Sequence, residues 1–209
     1  VIAIPGNAVL VVRADATPEM GSGHVMRTFA LVQEWLRCGG RAVFLTYTAN
    51  GRLIQRVRDG GAEVVQLAGR PYQEEDLRAT LSHMANCCAA WLVLDGYCFD
   101  TEYQKAVRDA GYRLLVIDDF SNVPHYYADV LLNQNFGAHT LVYSTEVDTA
   151  RLLGTQYVLL RQEFSRWRCR SRPAPEVARR VLVTLVGSDP GNYTLRVLRA
   201  LRRLNQPDL

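Results

Sequence analysis

The chain has 209 residues, of which 48% are hydrophobic, so it can bury a core large enough for one domain and part of another. Its formal net charge of +3 does not imply an extended surface for nucleic acid. No apolar run reaches the roughly 20 residues needed to cross a bilayer, and residues 1–6 lack the pattern of a signal peptide. We therefore expect a soluble cytoplasmic protein without membrane insertion.

Apolar runs alternate with amphipathic stripes along most of the chain, which predicts strands that alternate with helices. The predicted strands are 8–12, 42–46, 63–67, 91–94, 114–117 and 130–132, and the predicted helices are 24–38, 53–59, 74–86 and 101–110. Strands that are apolar on both faces, separated by amphipathic helices, are typical of a doubly wound parallel sheet. We therefore predict a Rossmann-like α/β domain over residues 8–170.

The junction between the first strand and the first helix contains Gly21, Ser22 and Gly23, followed by His24. Glycines allow the backbone to approach a ligand closely, and a helix N-terminus offers unpaired N–H groups and a positive dipole end to an anion. His24 would lie in the first turn beside that anion. This position makes His24 a candidate general base.

Acidic residues follow several predicted strands, namely Asp15, Asp95, Asp118 and Asp119. The carboxyl ends of parallel strands lie at one edge of the sheet, where open α/β folds bind their ligands. This clustering predicts a functional site at that edge. Aspartates after strands are also common as helix caps, so both interpretations stay open for Asp118 and Asp119.

A second unit begins after a linker at 171–179 that is rich in proline and arginine. It repeats the order of the N-terminus, with a predicted strand at 180–186, a glycine loop and a predicted helix at 194–204. One β–α unit cannot bury both faces of a sheet, so we expect 180–209 to begin an incomplete second Rossmann-like domain. The candidate diphosphate- or nucleotide-binding residues of its loop are Gly187, Ser188, Asp189 and Asn192.

Other nucleotide and metal motifs do not fit this sequence. A dinucleotide fingerprint needs a third glycine where Met26 stands, and it needs an acidic residue after the second strand. No P-loop occurs, and the five cysteines form no CxxC pair. We expect free thiols and no metal site, with a reactive Cys98 close to Asp95 and Tyr97 as the alternative.

Six motifs resemble the UDP-sugar hydrolases of pseudaminic acid biosynthesis (PseG type), which are relatives of the MurG-like glycosyltransferases of the GT-B fold. The resemblance runs over nearly the whole chain, and six motifs in the family's order are specific. The motifs are Arg13-Ala14-Asp15 with Gly21-Ser22-Gly23-His24-Val25-Met26-Arg27, Leu94-Asp95-Gly96-Tyr97, Ile117-Asp118-Asp119, Ala128-Asp129-Val130-Leu131-Leu132-Asn133, Gly154-Thr155-Gln156-Tyr157-Val158-Leu159-Leu160-Arg161-Gln162-Glu163-Phe164 and Gly187-Ser188-Asp189-Pro190-Gly191-Asn192.

The resemblance implies removal of UDP from a UDP-linked 2,4-diacetamido-2,4,6-trideoxy-β-L-altropyranose by attack of water at the anomeric carbon. The reaction inverts the anomeric centre and uses no metal or other cofactor, with His24 as the general base. The chain departs from the family at Val186, where a glycine is usual, and in lacking the family's uridine-binding region, so we expect this chain to be inactive alone. The expected substrate-binding residues are Arg13, Asp15, Gly21, Ser22, Gly23, Arg27, Asp95, Tyr97 and Asp119.

Two other functions stay open at the level of sequence. A GT-B glycosyltransferase would use an acceptor in place of water, and it should show an apolar, basic acceptor surface, whereas residues 69–76 are polar. A non-catalytic nucleotide-sugar-binding protein would leave His24 without a role. The hydrolase therefore accounts for more of the motifs, while the exact sugar and the oligomeric state are left open.

Overall fold

The computed structural model describes residues 6–167, 171, 173, 175–177, 180–185, 189 and 191–204. The described strands are β1 (Val9–Ala14), β2 (Arg41–Thr46), β3 (Glu63–Gln66), β4 (Ala89–Asp95), β5 (Arg113–Ile117), β6 (Val130–Asn133) and β7 (Ala150–Leu153). The described α-helices are α1 (Gly23–Arg37), α2 (Gly51–Asp59), α3 (Glu74–Asn86), α4 (Thr101–Asp109) and α5 (Tyr193–Arg203). None of these helices is long and apolar enough to cross a membrane.

The seven strands form one parallel sheet in the order β3-β2-β1-β4-β5-β6-β7. From β1 the chain moves outward to β3, returns to β4 beside β1, and then moves outward in the other direction. The connections after β1 and β4 therefore leave in opposite directions, which opens a crevice at their carboxyl ends. The order of strands confirms the predicted doubly wound, Rossmann-like α/β fold.

Helices cover both faces of the sheet through two apolar layers. One layer contains Phe29 of α1, and the other contains Met84 of α3 and Val107 of α4. Neighbouring strand residues point to opposite faces, so Val11 and Val12 of β1 enter different layers. This double burial is the reason why the central strands are apolar at most positions.

Capping side chains fix where two of the helices begin, and therefore where the loops that precede these helices end. Asn50 accepts a hydrogen bond from the Leu53 N–H at 3.2 Å and begins α2. Asp100 accepts one from the Tyr103 N–H at 2.8 Å and begins α4. Each cap satisfies a first-turn donor that would otherwise lack a partner.

The structure differs from the sequence predictions at the sheet edge and beyond it. Strand β7 was not predicted, because it has only four residues and its first two are exposed. The predicted strand at 180–186 is wrong for residues 180–185, which pair with no described strand. The predicted helix at 194–204 is confirmed as α5, while the domain boundaries around 171–179 stay predictions.

Candidate active site

His24 is the second residue of α1, as its sequence position predicts, and it is only 4% exposed. Its Nδ1 lies 2.6 Å from Oδ1 of Asp95, the last residue of β4. Because a carboxylate only accepts hydrogen bonds, we assign the ring proton to Nδ1 and the free lone pair to Nε2, although Nη2 of Arg27 also lies 3.3 Å from Nδ1. No described residue is hydrogen-bonded to Nε2. The pair is therefore arranged to accept a proton at Nε2.

Arg27 lies one turn after His24 on α1 and joins the ends of two strands. Its guanidinium donates to both oxygens of Asp95, from Nε at 2.6 Å and from Nη2 at 2.7 Å. It also donates to both oxygens of Asp119, from Nη1 at 2.7 Å and from Nη2 at 2.9 Å. Burial alone would lower the pKa of Arg27, but these two bidentate pairs outweigh it and raise the pKa. Arg27 therefore stays charged and positions both carboxylates.

Asp119 follows β5, and two further side chains hold it in addition to Arg27. The Tyr97 hydroxyl donates to Oδ2 at 3.1 Å, and Nδ2 of Asn135 donates to Oδ1 at 2.7 Å. Burial alone would raise the pKa of Asp119, but the hydrogen bonds and positive charge of Arg27, together with hydrogen bonds from Asn135 and Tyr97, lower it. Asp119 is thus an ionised anchor for this cluster.

Tyr97 packs against His24 at the mouth of the site. The two rings meet edge to face with centroids 4.8 Å apart, and Tyr97 is 44% exposed. Burial and the nearby charge of Asp119 raise the pKa of Tyr97 to about 12, so its phenol is neutral near pH 7. Tyr97 therefore covers one side of the His24 ring while part of its own ring stays exposed.

Four of these residues, His24, Arg27, Tyr97 and Asp119, border one cleft of about 370 Å³ at the carboxyl ends of the strands. The N-terminus of α1 forms another wall, and Ser22 makes no side-chain capping bond there. First-turn N–H groups that lack a cap are a favourable place for an anion. The cleft is lined by Met20, Gly21, Ser22, Gly23, His24, Arg27, Tyr97, Asp119 and Gln134.

The cleft combines the His24 imidazole with the uncapped N-terminus of α1. Arg27 carries one positive charge against the two negative charges of Asp95 and Asp119. A proton taken up by His24 would balance the remaining negative charge, which stabilises an imidazolium formed during a reaction. Among the described residues, no group of three or more His, Cys, Asp or Glu side chains is arranged to hold a metal ion.

Arg13 and Asp15 lie in a separate buried network below the cleft. Arg13 is 0% exposed and donates to Asp76 from Nε at 3.0 Å and from Nη2 at 2.8 Å, while its Nη1 lies 2.8 Å from Asp15. Asp15 also accepts a hydrogen bond from the Tyr72 hydroxyl at 2.7 Å. Neither Arg13 nor Asp15 lines the cleft, so their placement favours a structural link from β1 to α3, and substrate contact stays a prediction.

The structure gives different environments to Asp118 and Asp119, for which the sequence left two interpretations open. Asp118 is buried and accepts hydrogen bonds from the hydroxyls of Tyr126 at 2.8 Å and Tyr143 at 2.7 Å. It also accepts one from the Ser121 N–H, as a turn-capping residue does. Asp118 therefore holds loops in place, while Asp119 belongs to the cleft.

The loop of the predicted second unit is described only in part. Gly187 and Ser188 lie outside the described residues. Asp189 accepts hydrogen bonds from the N–H groups of Tyr193 at 2.8 Å and Thr194 at 2.9 Å, so it caps α5, and the bond from Thr194 lowers its pKa. Asn192 adopts a left-handed conformation at the start of α5, with a φ of 47°. Their role toward a nucleotide stays a prediction.

Sequence reasoning missed three residues of these networks. Gln134 lines the cleft and Asn135 holds Asp119, yet both follow a short strand without any motif that marks them. Asp76 could have been found, because a buried arginine on β1 requires a carboxylate partner. The first turn of α3 is rich in acidic residues, but only contact in the fold distinguishes Asp76 among them.

Comparisons with known proteins bear on the fold. No protein-family model matches the chain. Uncharacterized protein MJ1062 of Methanocaldococcus jannaschii is 24% identical over 192 residues, which cover 90% of this chain and 38% of that protein. The chain thus spans well under half of that relative's length.

Solved structures similar to the chain include two enzymes of sugar transfer. MurG of Acinetobacter baumannii is 16% identical with a TM-score of 0.44, covering 66% of this chain and 44% of MurG. A glycosyltransferase from Rickettsia africae is 6% identical with a TM-score of 0.40, covering 54% of this chain and 30% of the enzyme. Similarities with identities and TM-scores this low carry no information about activity.

Proposed function

We propose that the cleft hydrolyses a UDP-linked sugar, with His24 as the general base that activates water. The observation that carries this proposal is the 2.6 Å contact between His24 Nδ1 and Asp95 Oδ1. It leaves Nε2 as the proton-accepting atom of a side chain that lines the cleft. The resemblance in sequence supplies the substrate class, a UDP-linked 2,4-diacetamido-2,4,6-trideoxy sugar.

The proposed step uses only groups that the cleft contains, together with water. The water oxygen bonds to the anomeric carbon while the bond from that carbon to the diphosphate oxygen breaks. The electron pair of that bond leaves with UDP, and a proton of the water passes to Nε2 of His24. Attack opposite the leaving group inverts the anomeric centre. Asp95 stabilises the imidazolium that forms.

The leaving group explains why one base is sufficient for this chemistry. A diphosphate departs as a stable anion, so it needs little help from a general acid. The N–H groups at the N-terminus of α1, around Gly23, offer hydrogen bonds and a positive dipole end to the departing charge. Arg27 does not serve this purpose, because its guanidinium already binds two carboxylates.

The test is release of UDP by the full natural polypeptide from the 2,4-diacetamido sugar nucleotide in ¹⁸O-labelled water. We expect release without any acceptor, one labelled oxygen on the anomeric carbon, and the inverted anomer by proton NMR. UDP release that requires a sugar or lipid acceptor would contradict hydrolysis and indicate a transferase. Tight binding without release of UDP would contradict both and indicate a binding protein.

A further inference from the structure

Three consecutive amide side chains lie at the end of β6, and two of them hydrogen-bond to other side chains of the protein. Asn133 is buried, its Nδ2 donates to the Tyr143 hydroxyl at 2.8 Å, and its Oδ1 accepts from the Asn135 N–H at 3.0 Å. Asn135 donates from Nδ2 to Asp119. These two amides hold neighbouring side chains in place.

Gln134 between them has a different environment, because its side chain lines the cleft beside His24 and Tyr97. Its Oε1 accepts a hydrogen bond from the Leu159 N–H at 2.8 Å. A backbone N–H can only donate, so this bond identifies the oxygen and fixes how the amide is turned. No described residue is hydrogen-bonded to Nε2, which keeps two N–H donors for another molecule.

The charges around the cleft indicate which kind of hydrogen-bond acceptor the two N–H groups of Gln134 suit. Asp95 and Asp119 outnumber the single charge of Arg27, so this wall repels a diphosphate. The N-terminus of α1 is the better place for the anion, since its first-turn N–H groups have no side-chain cap. The neutral amide of Gln134 therefore suits an uncharged part of the substrate, and in the proposed function the uncharged part beside His24 is the sugar.

We propose that Nε2 of Gln134 donates a hydrogen bond to the carbonyl oxygen of an acylamino group on the sugar. An amide carbonyl only accepts hydrogen bonds, so it complements a side-chain nitrogen that only donates them. The contact makes the cleft select acylamino sugars over sugars with a hydroxyl group at the same position. This inference rests on the proposed function and names the feature of the substrate that the cleft recognises.

The first test compares binding of UDP-N-acetylglucosamine and UDP-glucose by the full natural polypeptide, measured by calorimetry. Gln134→Glu keeps an oxygen for the Leu159 N–H but removes both donors, whereas Gln156→Glu changes an exposed glutamine outside the cleft and is the matched control. We expect the native protein and the control to bind the acetamido sugar about tenfold more tightly, and Gln134→Glu to lose this preference. An unchanged preference in Gln134→Glu would overturn the inference.

The second test needs neither turnover nor a stable variant. In ¹⁵N spectra of the native protein, selectively labelled at glutamine, the side-chain NH₂ signals of Gln134 should shift with UDP-N-acetylglucosamine and not with UDP-glucose. Absence of that shift would overturn the inference, even if UDP release is normal. If the signals shift but the protein releases no UDP from the diacetamido sugar nucleotide, the proposed hydrolase activity is overturned. The proposed hydrogen bond from Gln134 to the acylamino group then still stands.

Discussion

Asp95 is the residue on which the proposed chemistry of His24 depends. Asp95→Asn keeps the shape of the side chain but removes the charge that stabilises an imidazolium and pairs with Arg27. We expect kcat for UDP release to fall about 10²–10⁴-fold while KM changes by a few-fold at most. Steady-state kinetics of the two proteins measure this. Turnover of Asp95→Asn within a few-fold of native would contradict the role of Asp95.

The lowered pKa of Asp119 predicts how the free energy of unfolding depends on pH. Its pKa in the folded protein is lowered, so its interactions stabilise the fold above the unfolded value of about 4 and are lost as pH falls through the folded value. We expect the difference in free energy of unfolding between native protein and Asp119→Asn to be constant from pH 7 to 5 and to shrink below pH 4. Urea unfolding from pH 3 to 7 measures it, and an undiminished difference at pH 3 would contradict this account.

Single residues of the site could be predicted from sequence to different degrees. His24 follows two glycines at a strand–helix junction, and Asp95 and Asp119 each follow a strand, so their shared edge was predictable. The direct pairing of Arg27 with both carboxylates was not. It depends on which face of α1 turns toward β4 and β5, and only packing of the helix on the sheet decides that. Arg13 points to the opposite face of the sheet, where it pairs with Asp76 of α3 and does not line the cleft.

Between elements, a fully buried ion pair joins β1 to α3. Asp76→Ala would leave the fully buried guanidinium of Arg13 without its bidentate partner, and we expect a loss of about 3–5 kcal/mol in the free energy of unfolding. Glu74→Ala is the matched control on the same helix, because its ion pair with Arg78 is exposed and contributes about 0.5 kcal/mol or less. Urea unfolding of both variants measures the difference, and equal losses would contradict a stabilising role of the network.

The success of the element predictions follows from how strongly each element is buried. Strands in the middle of the sheet are apolar on both faces, and amphipathic helices with glycines or caps at their ends are easily recognised. The edge strand β7 has little burial, so it gives a weak signal. Residues 180–185 have the composition of a strand, but a strand also needs a neighbour for its backbone hydrogen bonds, and no described strand supplies one.

At the scale of the whole molecule, the order of strands assembles the site. His24 is separated from Asp95 by 71 residues and Arg27 from Asp119 by 92 residues along the chain, yet all four meet where β4 lies beside β1. A doubly wound sheet brings its strand ends together at this position whatever the loops contain. The location of the site was therefore predictable from the fold class, while the loop residue Gln134 was not.

The measurement that tests the central claim most directly is the rate of UDP release by His24→Asn in the full natural polypeptide. The control is His139→Asn, an exposed histidine in a short 3₁₀ helix outside the cleft. We expect His24→Asn to lower kcat about 10²–10⁴-fold with little change in UDP affinity by calorimetry, because only the proton acceptor is lost. His139→Asn should retain native turnover. Near-native turnover by His24→Asn would contradict the assignment of His24 as the general base.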